Sequence, residues 1–398
     1  MHFLHKILSI KNEYRNGYKR KKVSFCGLNI SFKVGKLASL TNLADTIHIL
    51  IEISGGLGDF LIAANYIYNF ANYIRNNTTA NLHLDVIAAE HRFNNLKAVL
   101  QEKTFIQNLF KKNEFKKEFD YDLEATLHTY LLVDKFNQDK VKNLCPKLHS
   151  LVAHYQEFLE KYKFKNFGHL NAYNIALANN KKRLQLADIN DILRIEENFN
   201  YPLPYPDNEE DILNKFNLKD KIFITLNRGV DKSNTAHEST KMWQYEKYNQ
   251  LTKRLKETYP EIVLVQLGAS VELCKQIENI DINLIGQTDL EDIKVLIKKS
   301  FLHIDSEGGF AHLRNALKAK NPAIVIFGPT NPDFYGYNTN INIRNNDACP
   351  IHCDWVIRDW QHCCLRGENI PPCTNLITVE EVYSKIDKYL KDRGELNA

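Results

Sequence analysis

The chain is dominated by two series of alternating strand and helix patterns that a proline-rich segment separates. The first series opens with the apolar run 48–53, a glycine-rich turn, and apolar residues that recur with a helical period. The second opens near residue 221. Between them, residues 201–206 hold three prolines, which fix φ and end helices on either side. This alternation predicts parallel sheets covered by helices, in two α/β domains.

The length of the chain agrees with this division, because 398 residues are too many for one ordinary α/β core. We predict a basic N-terminal arm over 1–36, a first domain over 37–205 and a second over 206–398. The strands of the second domain are expected at 221–229, 261–269, 301–305 and 321–329. The region 105–200 is rich in lysine and asparagine, and its pattern is mostly helical.

The N-terminal arm is strongly basic. Residues 1–36 contain nine lysines and arginines against one acid, Glu13, and they are interleaved with apolar residues. Contact with an anionic membrane surface and a solvated basic tail both fit this composition. No run reaches the roughly 18–20 apolar residues of a membrane span, and no secretory signal is visible. We therefore expect a cytoplasmic protein, with peripheral contact at the inner membrane as one option.

A glycine-rich turn over residues 54–59 joins the first strand to its helix. Its glycines let a ligand approach the backbone closely, and the helix N-terminus favours negative charge. A dinucleotide-binding fingerprint is incomplete, because its third glycine position holds Leu61. Asp59 has two compatible interpretations: a helix cap, or a general base that takes a proton from an acceptor hydroxyl.

Four loops of the second domain follow strands and carry polar residues. Arg228 and Lys241 are cations suited to a diphosphate, although either alone also fits surface charge. Glu272 fits a ribose ligand or a solvated helix start. Trp243 is expected in the core, and Thr288 or Asp289 at a helix cap. The turn over 304–313 contains Gly308, Gly309 and His312, where helix amides would face phosphate oxygens.

These segments, in this order, resemble the heptosyltransferase family (glycosyltransferase family 9), which has the GT-B fold of two Rossmann-like domains facing a cleft. The resemblance covers most of 48–70 and 221–390. Residues 327–332, Phe-Gly-Pro-Thr-Asn-Pro, are its most distinctive match. It implies a catalytic base at Asp59 and a phosphate-contacting lysine at Lys241. It also places Glu272 at the nucleotide ribose and Gln287 beside the base.

One departure from the family pattern concerns the donor sugar. Aligned on His312, the chain has Glu307 where the family has a sugar-contacting aspartate, and Gly308 where it has a serine or threonine. Gly309 matches the family glycine. Asp305 is an alternative sugar ligand.

The resemblance implies inverting transfer from a nucleotide-diphosphate sugar, ADP-heptose above all. Asp59 would deprotonate the acceptor, and the leaving diphosphate would be stabilised by the 307–313 helix N-terminus, Lys241 and Arg228. No catalytic metal is expected. Acceptors would be a surface glycan such as lipopolysaccharide core, a lipid-linked glycan or a protein hydroxyl. A homo-oligomer is compatible with this prediction.

A cysteine cluster lies between residues 349 and 373. Its members are Cys349, Cys353, Cys363, Cys364 and Cys373. Several thiolates in a short segment fit a structural zinc or iron site, and unligated cysteines in an irregular loop are the alternative. The cluster resembles the cysteine-ligated iron of the subgroup that glycosylates autotransporter adhesins. Adjacent Cys363 and Cys364 do not easily bind one ion together, so one of them is expected to ligate.

Two non-enzymatic functions compete with this interpretation. One is a metal-stapled binding protein, and the other is a non-catalytic scaffold of the same fold. Nucleic acid is not expected as a partner, because the chain lacks the interleaved aromatic and basic residues of a base-stacking groove.

Overall fold

The computed structural model describes residues 45–117, 120–161, 175–188, 190–228, 239–270, 274–356 and 360–393, and the backbone of 8–15, 18–25 and 28–36. In these ranges the chain forms two α/β lobes, each built on its own sheet, and a separate three-stranded sheet. The described helices include none that is both long and apolar enough to cross a bilayer.

The first lobe is built on a five-stranded sheet of order β6-β5-β4-β7-β8. All neighbouring strands are parallel except β8, which runs antiparallel to β7. The strands are β4 (Thr46–Ile53), β5 (Asn81–Ala88), β6 (Asn108–Lys111), β7 (Leu123–Leu127) and β8 (Leu131–Phe136). The helices are α1 (Leu57–Arg75), α2 (Phe93–Val99), α3 (Gln138–Leu144) and α4 (Pro146–Lys161). The central strand β4 is almost wholly buried, as its continuous apolar run requires.

The second lobe is built on a six-stranded, fully parallel sheet of order β11-β10-β9-β12-β13-β14. The strands are β9 (Phe223–Asn227), β10 (Val263–Leu267), β11 (Ile282–Asn283), β12 (Leu302–Ser306), β13 (Ala323–Ile326) and β14 (Ile341–Ile343). The helices are α5 (Glu209–Lys215), α6 (Tyr245–Thr258), α7 (Leu290–Lys299), α8 (Gly309–Ala316), α9 (Pro332–Tyr335), α10 (Pro372–Asn375) and α11 (Val379–Arg393). The fold class of two parallel-sheet α/β units is thereby confirmed, and the exact boundary near residue 206 stays a prediction.

The lobes meet where α1 and α8 pack against each other. Glycines make this contact close. A Cβ on Gly58 would lie 2.6 Å from Cδ2 of His312, and one on Gly309 would lie 3.1 Å from Cβ of Leu57. Real Cβ atoms essentially never approach to 2.6 Å and rarely to 3.1 Å, so a side chain at either position would require its neighbours across the contact to shift. The glycine-rich turns of the two lobes therefore set the distance between them.

Two parts of the chain differ from their sequence patterns. The region 105–200 was predicted to be mostly helical; its helices α3 and α4 are longer than its strands, but the prediction missed β6, β7 and β8. Each of these strands has at most six residues, too few for a period-two pattern to stand out beside the long helix α4. Residues 1–36 were given no regular structure, yet β1 (Leu8–Arg15), β2 (Tyr18–Phe25) and β3 (Leu28–Lys36) form an antiparallel meander.

Candidate active site

Asp59 lies in the first turn of α1, beside the contact with α8. The N-cap of the helix is Gly56, so Asp59 is the third helical residue and not the cap. Its Oδ2 accepts a hydrogen bond from the Gly56 amide at 3.0 Å, which stabilises the helix start from inside. Gly55 has a φ of 109°, and a Cβ there would overlap the carboxylate. The glycine turn thus lets the carboxylate fold back over the helix end, where 28% of it remains exposed.

Two basic residues distant in sequence complete the surroundings of Asp59. Nη2 of Arg183, in the short 3₁₀ helix Arg183–Asp188, donates to Asp59 Oδ1 at 2.9 Å and to the His128 carbonyl at 3.0 Å. Nε2 of His128 lies 3.9 Å from Asp59 Oδ2. Burial alone would raise the pKa of Asp59, but Arg183, His128 and the Gly56 amide outweigh it and lower that pKa. Asp59 is therefore a carboxylate at neutral pH, and no sequence motif had pointed to either basic residue.

The turn after β12 leads into α8 at Gly308 and Gly309. Gly308 is the N-cap, and the N-terminal end of α8 packs against the N-terminal end of α1. His312, one turn into the helix, is buried, with Nδ1 2.6 Å from the Tyr337 hydroxyl and Nε2 3.7 Å from Glu307 Oε1. Helix N-termini attract anions, so two of them facing each other make this place favourable for a diphosphate.

Lys241 reaches this turn from the neighbouring loop. Its Nζ forms an ion pair with Glu307, and it lies 5.3 Å from the ring centroid of Trp360. Burial would raise the pKa of Glu307, but Lys241 and His312 lower it to about 2. Asp354 is nearly buried, and its burial together with the charge of Glu307 raises its pKa to about 8. At neutral pH, Glu307 is therefore charged and Asp354 is protonated.

The low pKa of Glu307 predicts acid sensitivity. A carboxyl whose pKa is lower in the folded than in the unfolded state stabilises the fold above its unfolded pKa, and this contribution is lost as the pH falls toward the folded pKa. For a shift from 4.5 to about 2, we expect about 2 kcal/mol to disappear between pH 5 and pH 3. Urea unfolding across this range should therefore show a smaller loss for Glu307→Gln than for the wild type. Equal losses in both proteins would contradict this assignment.

The other residues predicted to bind the sugar donor differ in how deeply they are buried. Nε of Arg228 is buried and donates to the Trp243 carbonyl at 3.2 Å, while Trp243 is fully buried in the core, as expected. Asp305 is also buried. It accepts from Asn227 Nδ2 at 2.9 Å and lies 3.5 Å from His303, so it faces the sheet in this state.

Gln287 is exposed and donates to the Asn283 carbonyl at 2.8 Å. Glu272 lies outside the described residues. The structure thus brings Asp59, Lys241, Glu307, the two glycines and His312 together and leaves the roles of Arg228, Asp305, Gln287 and Glu272 as predictions. Asp289, one of the two expected helix caps, is the N-cap of α7.

The cysteine loop packs beside Lys241 and Glu307. Cys349, Cys353 and Cys373 are buried, Cys364 is half-buried and Cys363 is exposed. Burial raises the pKa of Cys373 to about 11; Arg344 opposes this rise, and the neighbouring Cys349, Cys353 and Cys364 add to it. These four thiols are therefore neighbours, whereas Cys363 is exposed. Yet no group of three or more histidine, cysteine or acidic side chains within the described residues is arranged to hold a metal ion.

Two α/β lobes with a carboxylate on one and a lysine and helix N-terminus on the other define a two-domain glycosyltransferase of the GT-B type. Residues 160–353 match the model of glycosyltransferase family 9 (heptosyltransferase). This match covers 194 of the 398 residues, just under half of the chain, and it is the family that the sequence motifs had indicated. With the fold, it identifies the chain as a glycosyltransferase. No curated protein matches the sequence.

Solved structures of this family share the fold at low sequence identity. ADP-heptose lipopolysaccharide heptosyltransferase II of E. coli is 16% identical with a TM-score of 0.52, over 87% of this chain and 99% of that one. A family 9 enzyme from Veillonella parvula is 14% identical with a TM-score of 0.54, over 87% and 98%. TibC of enterotoxigenic E. coli, an iron-containing dodecameric glycosyltransferase, is 14% identical with a TM-score of 0.55, over 94% and 83%.

Proposed function

We propose that this enzyme transfers heptose, with inversion, from ADP-heptose to a hydroxyl of a bacterial surface glycan or protein. The observation that carries the proposal is the position of the Asp59 carboxylate beside the packed N-terminal ends of α1 and α8. Lys241 lies nearby, where it forms an ion pair with Glu307 in the turn before α8. A carboxylate and an anion-binding place so close together are the two groups that a single displacement at a sugar carbon needs.

In the proposed reaction, the acceptor oxygen attacks the anomeric carbon as its proton passes to Asp59. The bond to the diphosphate oxygen breaks, and the leaving group carries the negative charge away. Lys241 and the α8 N-terminus stabilise that charge, while the donor displaces Glu307 from Lys241 and frees it for the sugar hydroxyls. One displacement inverts the anomeric configuration.

The choice of ADP-heptose as donor is supported by a structurally similar enzyme. TibC has been solved in complex with ADP-D-β-D-heptose, at a TM-score of 0.56 to this chain. The test is a transfer assay with ADP-heptose and with UDP-sugars, and NMR of the product gives the configuration of the new bond. A product with retained configuration would exclude the single displacement. Nucleotide binding without transfer to any glycan or protein acceptor would favour the scaffold function instead.

We also propose that the cysteine loop holds a structural iron or zinc ion. Thiolates suit both metals, the thiols of Cys349, Cys353, Cys364 and Cys373 are neighbours, and TibC contains iron. We expect about one metal ion per chain by elemental analysis, retained in Cys363→Ser, whose thiol is exposed, and lost in Cys364→Ser. If both variants retain the metal, the ion is bound elsewhere in the protein. If the wild type contains no metal, the cysteines are unligated thiols in an irregular loop.

We also propose a location and an assembly state for this chain. The basic residues of 1–36 favour a cytoplasmic protein that contacts anionic lipid, which vesicle flotation in low and high salt would test. Since TibC is dodecameric, self-association of this chain is also proposed. Light scattering of the purified protein measures it directly, and a monomeric mass would refute it.

A further inference from the structure

We infer that Arg183 is a positioning residue for the catalytic carboxylate: its guanidinium holds Asp59 in one orientation and keeps it charged. The inference rests on the proposed role of Asp59 as the base. It concerns a residue that lies 124 positions from Asp59 in the chain and belongs to no motif.

The contact geometry fixes the carboxylate at both oxygens. Arg183 Nη2 donates to Oδ1 at 2.9 Å, and the Gly56 amide donates to Oδ2 at 3.0 Å. The same Nη2 donates to the His128 carbonyl at 3.0 Å, so the guanidinium is itself anchored to the loop between β7 and β8. Rotation of the carboxylate would break one of the two bonds, and one lone pair on each oxygen remains available for an acceptor proton.

A second buried arginine shows what a purely structural role looks like in this chain. All three nitrogens of the Arg314 guanidinium donate: Nε to the Asn321 carbonyl at 3.0 Å, Nη1 to the Ile297 carbonyl and the Ser300 hydroxyl, and Nη2 to the Ser300 carbonyl. Arg183 is also buried, at 5% exposure against 1% for Arg314, yet its Nη1 has no hydrogen-bond partner among the described residues. Buried donors are normally satisfied, so Arg183 is placed for the carboxylate at some cost to the fold.

The charged and titratable groups around Asp59 come from four elements. Arg183 approaches from the 3₁₀ helix, His128 from the β7–β8 loop, His312 from α8 and Tyr335 from α9. Arg183 is the cation with the shortest contact, and it opposes the burial that would otherwise favour the protonated, inactive carboxyl. Removing its charge should therefore raise the pH at which the base becomes protonated.

The test compares pH profiles of kcat/KM for the wild type, Arg183→Met, Arg183→Lys and Asp59→Asn. We expect the acidic limb of Arg183→Met to lie at least one pH unit above that of the wild type, with a 10- to 100-fold lower plateau. Arg183→Lys keeps the charge, so its limb should stay near the wild-type position even if its plateau falls. Lys140→Met is the matched control, because Lys140 pairs with buried Asp122 at 2.7 Å in the same lobe.

The outcomes separate the inference from the proposed function. If Asp59→Asn is inactive while Arg183→Met has the acidic limb of the wild type, the positioning role is refuted and the base stands. If Asp59→Asn keeps wild-type activity, the base itself is wrong. If the acidic limb of the Lys140→Met pH profile moves as far as that of Arg183→Met, the shift reflects general destabilisation of the lobe, and the inference is overturned. If Arg183→Met does not fold, the Arg183→Lys profile decides, because a limb moved by a unit contradicts a role based on charge.

Discussion

Replacing Asp59 by asparagine is expected to lower kcat/KM for sugar transfer by about 10³, because general bases contribute roughly 10²–10⁴. Asparagine has the same shape, and its amide oxygen still accepts from the Gly56 amide or from Arg183. The start of α1 should therefore persist, and the loss should lie in the chemical step. Initial rates at saturating donor, with the melting temperature measured alongside, check this.

Binding of the donor is the internal control for this variant. ADP affinity should change less than threefold, since Asp59 contacts the acceptor side of the proposed reaction. A variant that transfers sugar at even one tenth of the wild-type rate would remove Asp59 from the mechanism. If the variant has a markedly lower melting temperature, its loss of activity is instead due to destabilisation of the start of α1.

The second large effect concerns Lys241. Lys241→Met should weaken ADP binding about 30-fold, since a charge-assisted contact contributes on the order of 2 kcal/mol. Isothermal titration at two salt concentrations measures it, and the salt dependence of the wild type should be steeper than that of the variant. Lys256→Met is the matched control. Lys256 pairs with Asp281 at 3.0 Å on the surface of the same lobe, so its loss should leave ADP binding unchanged.

Glu307 adds a second arm to this experiment. In the absence of donor, Glu307 forms an ion pair with Lys241 that ADP must displace. The Glu307→Gln variant should therefore bind ADP as tightly as the wild type or more tightly. The same variant should lose activity if Glu307 contacts the sugar. Unchanged ADP affinity in Lys241→Met would place the diphosphate elsewhere.

The sequence predicts the parts of the site that follow strands. Parallel strands end at one edge of a sheet, so the turns at Gly56 and Gly308 had to lie at the edges where ligands bind. The order of short motifs then indicated a cation at Lys241 and a carboxylate at Asp59. Each of these residues belongs to a local pattern, which is why it could be found before the fold was known.

Arg183 and Asp354 could not be found in this way. Arg183 follows two lysines and resembles any other surface cation until the fold brings it to Asp59. Asp354 stands between a cysteine and a tryptophan, and only its burial beside Glu307 sets it apart. The N-terminal meander did have a local indication: Asn16-Gly17 lies between Arg15 and Tyr18, which pair across β1 and β2, and Asn-Gly favours tight hairpins. The many lysines, which are uncommon in strands, concealed it.

The meeting of α1 and α8 at Gly58 and Gly309 brings two partial positive charges into opposition across the boundary between the lobes. These helix ends pack directly against each other, so their partial charges repel. A diphosphate bound alongside both ends would offset this repulsion and attract both lobes at once. Donor binding should therefore stabilise the interdomain contact, and product departure should weaken it again.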